Sequence, residues 1–146
     1  MDRFDFIDLL DDIKCTSNKT TADLSYDMHI PWGAVRRLEE GRTNFGIDSI
    51  LKYIKCLDHH IQLTNLSNNV YHILKYDDLI VWLKETRREK FTKFSQRSLA
   101  QNIGCSYVNI ANIETHKSVM SIDTFLKLTT LFVTNIKIVE NNEQNS

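Results

Sequence analysis

The sequence predicts a mainly α-helical protein made of two copies of one helical unit, with a short β-strand closing each copy. Three observations lead to this class. One Pro and four Gly in 146 residues leave long stretches uninterrupted, which favours helices over a turn-rich β architecture. Apolar residues recur at helical spacing within each unit. A shift of 75 positions lays "LSYDMHIPWGAVRRLEEGRTNFGIDSILK" (24–52) on "LAQNIGCSYVNIANIETHKSVMSIDTFLK" (99–127) without a gap, and such a period marks a repeated structural unit. Leu24/Leu99, Glu39/Glu114, Ile47/Ile122, Asp48/Asp123, Leu51/Leu126, Lys52/Lys127 and Ile61/Ile136 are identical under this shift. Met28/Ile103, Ile30/Cys105, Val35/Ile110, Leu38/Ile113, Ile50/Phe125, Leu57/Phe132 and Leu63/Ile138 keep apolar character.

The first unit spans residues 1–66. Phe6, Leu9, Leu10 and Ile13 define a leading helix, whose other face carries Asp2, Asp5, Asp8 and Asp12. That acidic row is either a solvated surface or a seat for a basic protein partner. Two short helices follow, with His29 at the turn and Pro31 where the second one starts, a position that tolerates Pro because early helical N–H groups lack partners. "IDSILKYIKCL" is a further helix. In "HHIQLT" period two replaces the helical period, as a strand requires. Residues 67–76 are a connection opened by the Asn65–Asn69 cluster, and "NNVYHILKY" is either a returning strand or the lead into the next helix.

The second unit spans residues 77–140, with Leu79, Trp82 and Leu83 on its leading helix. Leu99 and Ile103 share a face of the next helix, and Ala100 is small where two helices meet. Gly104 permits a tight turn, and Ser106 is a fitting N-cap for a helix anchored by Ile110 and Ile113. "IDTFLKLTTLF" and the alternating "NIKIVE" complete the unit. Residues 141–146 form an Asn-rich tail, expected to fray.

Composition narrows the function classes. With 42% hydrophobic and 25% charged residues the chain carries enough apolar surface for a core. No apolar run approaches the roughly 20 residues of a membrane span. The opening "MDRFDFIDLLDDIK" is acidic and lacks the basic and apolar regions of a signal peptide, so the expected location is cytoplasmic. Cys15, Cys56 and Cys105 lack C-x-x-C spacing and read as buried reduced thiols. His59 and His60 are adjacent, and on a strand they face opposite sides, so no metal is assigned. No cofactor is implied. Net charge is -1, which supplies no general attraction to a polyanion. Residues 1–68 hold eight Lys/Arg against eleven Asp/Glu and residues 69–146 ten against eight, so a polyanion site has to be local.

"SQRSLAQNIGCSYVNIANIE" (95–114) resembles the Cro/C1-type (XRE) helix-turn-helix family of bacterial and phage DNA-binding regulators. It has that family's Ser-Gln opening, Leu-Ala, turn Gly, small N-cap, spaced Ile residues and closing Glu. The first copy keeps the Leu, the apolar anchors and "LEEG". The resemblance implies two tandem lambda-repressor-like units covering most of the chain. Antitoxins of this type, similar to the HipB group, also end in a strand. By that analogy His60–Thr64 pairs with Asn135–Val139 across the repeats to make a covalent pseudo-dimer, or else the two strands pack separately. A monomeric pseudo-dimer and a homodimer both stay open.

The family's groove-facing positions fall on Trp32, Gly33, Arg36 and Arg37 in the first unit. In the second they fall on Ser106, Tyr107, Val108, Ala111 and Asn112. Arg binds guanine O6 and N7 bidentately, Asn does the same for adenine, and Val or a ring contacts a thymine methyl. Trp32 either serves this way or fills an interface with the other repeat or a partner. The resemblance puts phosphates against Thr21 and Arg42 in the first unit and Lys93, Ser95, Gln96, Arg97 and Lys117 in the second. "KETRREKFTK" (84–93) adds charge beside them, as phosphate contacts or as a solvated helix end.

The expected function is that of a sequence-specific regulator of double-stranded DNA, a repressor occluding a promoter. The two reading faces differ chemically, so unequal half-sites about 34 to 36 Å apart are expected. The competing class is an antitoxin-like or antirepressor-like module that holds a protein, a toxin or another regulator, and also binds DNA. An enzyme is the weakest class, because no nucleophile-base-orienter set, metal spacing or phosphate-cradling Gly loop stands in the sequence.

Overall fold

A computed structural model describes residues 1–89 and 93–141. The chain runs α1 (Arg3–Ser17), α2 (Thr21–Met28), α3 (Trp32–Glu40), α4 (Ile47–Cys56), β1 (His59–Thr64), β2 (Val70–Ile73), α5 (Tyr76–Arg87), α6 (Gln96–Ile103), α7 (Tyr107–Glu114), α8 (Ile122–Leu131) and β3 (Asn135–Glu140). It is mainly helical, with one small antiparallel sheet. Lys90–Thr92 of the basic stretch and 142–146 of the expected tail lie outside the described residues.

Helices α2 and α6, α3 and α7, and α4 and α8 each begin 75 residues apart. The positions before these helices are likewise equivalent. In the second unit all three are serines, Ser95, Ser106 and Ser121, each accepting from a backbone N–H three residues on, at 3.1 to 3.2 Å. In the first they are Thr20, Pro31 and Gly46, of which Thr20 alone makes a side-chain cap. A cap of this kind contributes about 1 kcal/mol, so the second unit is locally the better specified. The turn after α2 survives without glycine because His29 takes the left-handed conformation, φ 57°; Gly104 takes φ 76° at the equivalent place, at no steric cost.

Sheet order is β2-β1-β3, and both ladders are antiparallel. The strands that close the two units therefore pair with each other. Their register carries more information than their contact. Gln62 pairs with Lys137, and an isolated bridge joins Gly46 to Ser121; each residue meets its own counterpart from the other unit, 75 positions on. Reciprocal bonds flank that bridge, Ile47 N–H to the Met120 carbonyl and Ile122 N–H to the Phe45 carbonyl, both 2.7 Å. A local two-fold axis through these pairs relates the units as it would in an isologous dimer. The connection departs from that symmetry: its residues 70–73 are the returning strand, β2, against the outer edge of β1.

One hydrophobic core runs through both units. Helix α4 packs on its counterpart α8, α1 on α8, and α4 on α5. Phe6 meets Phe125 edge-on at 6.4 Å. Trp82, fully buried, has Phe125 and Phe132 at 6.1 and 5.8 Å. Its indole N–H donates to the buried Asn65 at 3.0 Å, which receives Thr134 and donates to Thr86 as well. Asn65 thus joins the end of β1, α5 and the entry to β3, a role beyond the turn chemistry expected of it.

The cysteines are free, but their burial differs from expectation. Cys15 is exposed on α1, and Cys56 and Cys105 are half-buried against the core rather than enclosed by it. His60 is buried in β1 and shares hydrogen bonds with His72 at 2.9 Å and Asn141 at 2.7 Å. No group of three or more metal-binding side chains occurs among the described residues. No described helix is long and apolar enough to cross a membrane.

Candidate functional site

The two helix pairs α2–α3 and α6–α7 each bury one face and expose the other. Val35 and Leu38 hold α3 in the core, Ile110 and Ile113 hold α7. The expected groove-facing residues are consequently turned outward. Trp32 is 55% exposed, Tyr107 40% and Val108 51%. Arg37 and Ser106 are also exposed, while Gly33, Arg36, Ala111 and Asn112 are half-buried. Ser106 caps α7 by accepting from the Asn109 N–H at 3.2 Å.

Each pair is held in place by a carboxylate in the last turn of its second helix. Glu39 and Glu114 are repeat equivalents. Arg87 from α5 grips Glu114 with two parallel bonds of 2.8 and 2.9 Å, and Gln96 adds a third at 3.1 Å. This fork-to-carboxylate geometry is the strong form of an ion pair. Glu39 receives Lys14 at 2.7 Å, the Tyr53 hydroxyl at 2.7 Å and the Thr21 hydroxyl at 2.8 Å. The leading helix therefore braces the outward-facing helix in both units, by a different cation each time.

This bracing engages one of the residues expected at phosphates. Thr21 is 9% exposed, and its hydroxyl donates to Glu39 while accepting from Lys14. Its hydroxyl is thus spent on positioning inside the unit. Gln96 has spent one amide N–H on Glu114 but is half-buried and keeps its remaining polar atoms. Ser95 is exposed and caps α6. Lys93 and Lys117 are exposed. Arg42 is exposed and pairs with Glu40. Arg97 lies with its guanidinium over the Tyr107 ring, 4.2 Å from the centroid, at the start of α7 rather than out on a flank of α6. Arg36 is bonded to Glu39 at 3.3 Å and Glu40 at 3.0 Å, so its fork is already occupied.

Lys14, Tyr53 and Arg87 were not legible as site residues. The available signal was the identical acid at 39 and 114, placed directly after a core residue on the helix. A carboxylate there demands a buried partner.

The two faces differ in charge. Residues 21–40 hold two Arg against Asp23, Asp27, Glu39 and Glu40; residues 96–114 hold Arg97 against Glu114, which Arg87 neutralises. The second face thus presents a cation, small polar groups and no exposed acid, a surface suited to hydrogen-bonding a polyanion. The first mixes both signs with two exposed aromatics, Tyr26 at 80% and Trp32.

Burial raises the pKa of Glu39, but the bonds from Lys14, Tyr53 and Thr21 outweigh it and hold the carboxyl below its ordinary 4.5. Burial and the Glu39 carboxylate push the Tyr53 hydroxyl up. A carboxylate whose folded pKa is depressed contributes stability that is present above its unfolded pKa and lost as pH falls through the folded one. Urea titrations between pH 7 and 3 are expected to show stability falling below about pH 4.5, with Glu39→Gln weakening that acid dependence at the cost of lower stability at pH 7. An unchanged acid limb in Glu39→Gln would show that other carboxylates carry it.

No protein-family model, curated protein or solved structure matches this chain.

Proposed function

We propose that this protein is a sequence-specific double-stranded DNA-binding regulator, a repressor of the Cro/C1 type, in which α2–α3 and α6–α7 are two helix-turn-helix units and α3 and α7 enter adjacent major grooves. The observation that carries the reading is the local two-fold axis. Gln62 against Lys137 and Gly46 against Ser121 make the two units equivalent halves, and a two-fold pair of outward helices is the arrangement that dimeric helix-turn-helix proteins offer to two half-sites about one helical turn apart. A single chain then does the work of a dimer, with unequal half-sites because its halves have diverged. Lys93, Arg97 and Lys117 supply local positive charge that the net charge of the chain conceals.

Selection of genomic fragments with the purified protein tests this, followed by binding across a salt series. A defined site is expected, with affinity falling steeply with salt. Asn112→Ala is expected to weaken it most, and Arg37→Ala less. Absence of enrichment at low salt would overturn the reading.

A second reading as an interaction module for a toxin or another regulator is favoured by the first face alone, where Asp23 and Asp27 accompany exposed Tyr26 and Trp32. A partner retained in high salt and released by Trp32→Ala would support it, and the two roles can coexist on opposite halves.

A further inference from the structure

We infer that Arg97 and Tyr107 form a single reading unit, specific for a guanine beside a thymine, and that the first half of the molecule has no working counterpart. The inference rests on the DNA-binding reading above. Trp32 and Tyr107 are repeat equivalents, the first residues of α3 and α7, and both rings are exposed with a guanidinium over one face. The two pairs differ in what the guanidinium is free to do. Arg36 sits 6.0 Å from the Trp32 centroid and gives its N–H groups to Glu39 and Glu40. Arg97 sits 4.2 Å from the Tyr107 centroid, and among the described residues no carboxylate forms an ion pair with it.

Stacking on a ring orients a guanidinium through its face and leaves the in-plane donors along its edge unspent. Such a contact, modest at an exposed site, biases the arginine toward one placement while keeping the fork that matches guanine O6 and N7. Its placement decides between base and phosphate. The residue it rests on is the first of α7, and the N-terminal end of such a helix is the part that reaches base edges. Val108, next in sequence and half exposed, offers the apolar contact that a thymine methyl takes. In the first unit the arginine beside the ring has its fork closed by two acids, so a ring-held guanine reader belongs to one half-site.

The test uses the full chain and duplexes carrying the selected site. The site is expected to contain a guanine adjacent to a thymine in one half. Replacing that guanine by 7-deazaguanine removes the N7 acceptor and should weaken the wild type by roughly tenfold to a hundredfold, with little effect on Arg97→Lys, which keeps the charge and loses the fork. Replacing the thymine by uracil should weaken the wild type and leave Val108→Ala unmoved. A selected site without that guanine, or an Arg97→Lys variant that weakens on every sequence equally while keeping its guanine preference, would overturn the unit and leave the DNA-binding reading standing. Failure of the wild type to select any DNA would overturn both.

Discussion

Arg87→Ala is expected to lower the stability of the protein by about 3 to 5 kcal/mol, the cost of leaving a buried charge without its partner. Glu114 is 3% exposed and its two oxygens receive Nε and Nη2 of Arg87, whose Nη1 donates to the Phe94 carbonyl; Gln96 alone cannot compensate a full charge. Urea unfolding of the purified variant measures the loss. The double replacement Arg87→Met with Glu114→Met removes both charges and should recover much of it, because a well-packed apolar pair often equals a buried ion pair. Lys14→Ala should cost less than Arg87→Ala, since Glu39 retains the Tyr53 and Thr21 hydroxyls. A loss below about 1 kcal/mol for Arg87→Ala, the range of exposed pairs, would show that Glu114 reaches water. Because Arg87 also fixes the end of α7, the proposed DNA-binding function carries the further expectation that the variant loses DNA affinity even at temperatures where it stays folded.

Trp82→Ala is the second large effect, about 3 to 5 kcal/mol from lost burial and the cavity left behind. The indole is fully buried between Phe125 and Phe132 and donates to Asn65. Trp82→Phe should restore most of the packing and leave a smaller deficit from the missing N–H, since Asn65 still receives Thr134. Thermal unfolding followed by far-UV circular dichroism reads both variants. One transition is expected in each, because the core is continuous across the two units. Two separated transitions in Trp82→Ala would show that the halves unfold independently and that the tryptophan is peripheral to their coupling.

Much of the architecture was legible because it is written locally. The cap at Ser106 and the switch from helical to alternate spacing at both closing strands require only neighbouring residues, and the 75-residue period needs only the chain laid on itself. The family resemblance put Trp32, Tyr107, Val108 and Arg37 among the outward residues, and the structure exposes all four, while Arg36, Ala111 and Asn112 of the same set are half-buried. Less legible was the use made of Thr21, a polar residue at a helix start. Its hydroxyl is consumed by a carboxylate 18 residues away and a lysine seven residues back, neither of which helical spacing connects to it. Asn65 opens the expected turn, bonded through its backbone to Asn68 and Asn69, and its side chain adds a buried junction that spacing does not show.

The amino-acid sequence by itself determined that this protein has two similar helical units, each closed by an alternating strand, because hydrophobic periods act over a few residues. Tertiary structure alone decided that the closing strands pair about a two-fold axis, that the connection adds a strand to one side only, and that Arg97 rests on Tyr107 while Arg36 is held by two acids. Those outcomes depend on which of several chemically acceptable partners is brought within bonding distance when distant segments pack, and spacing along the chain carries no measure of that distance.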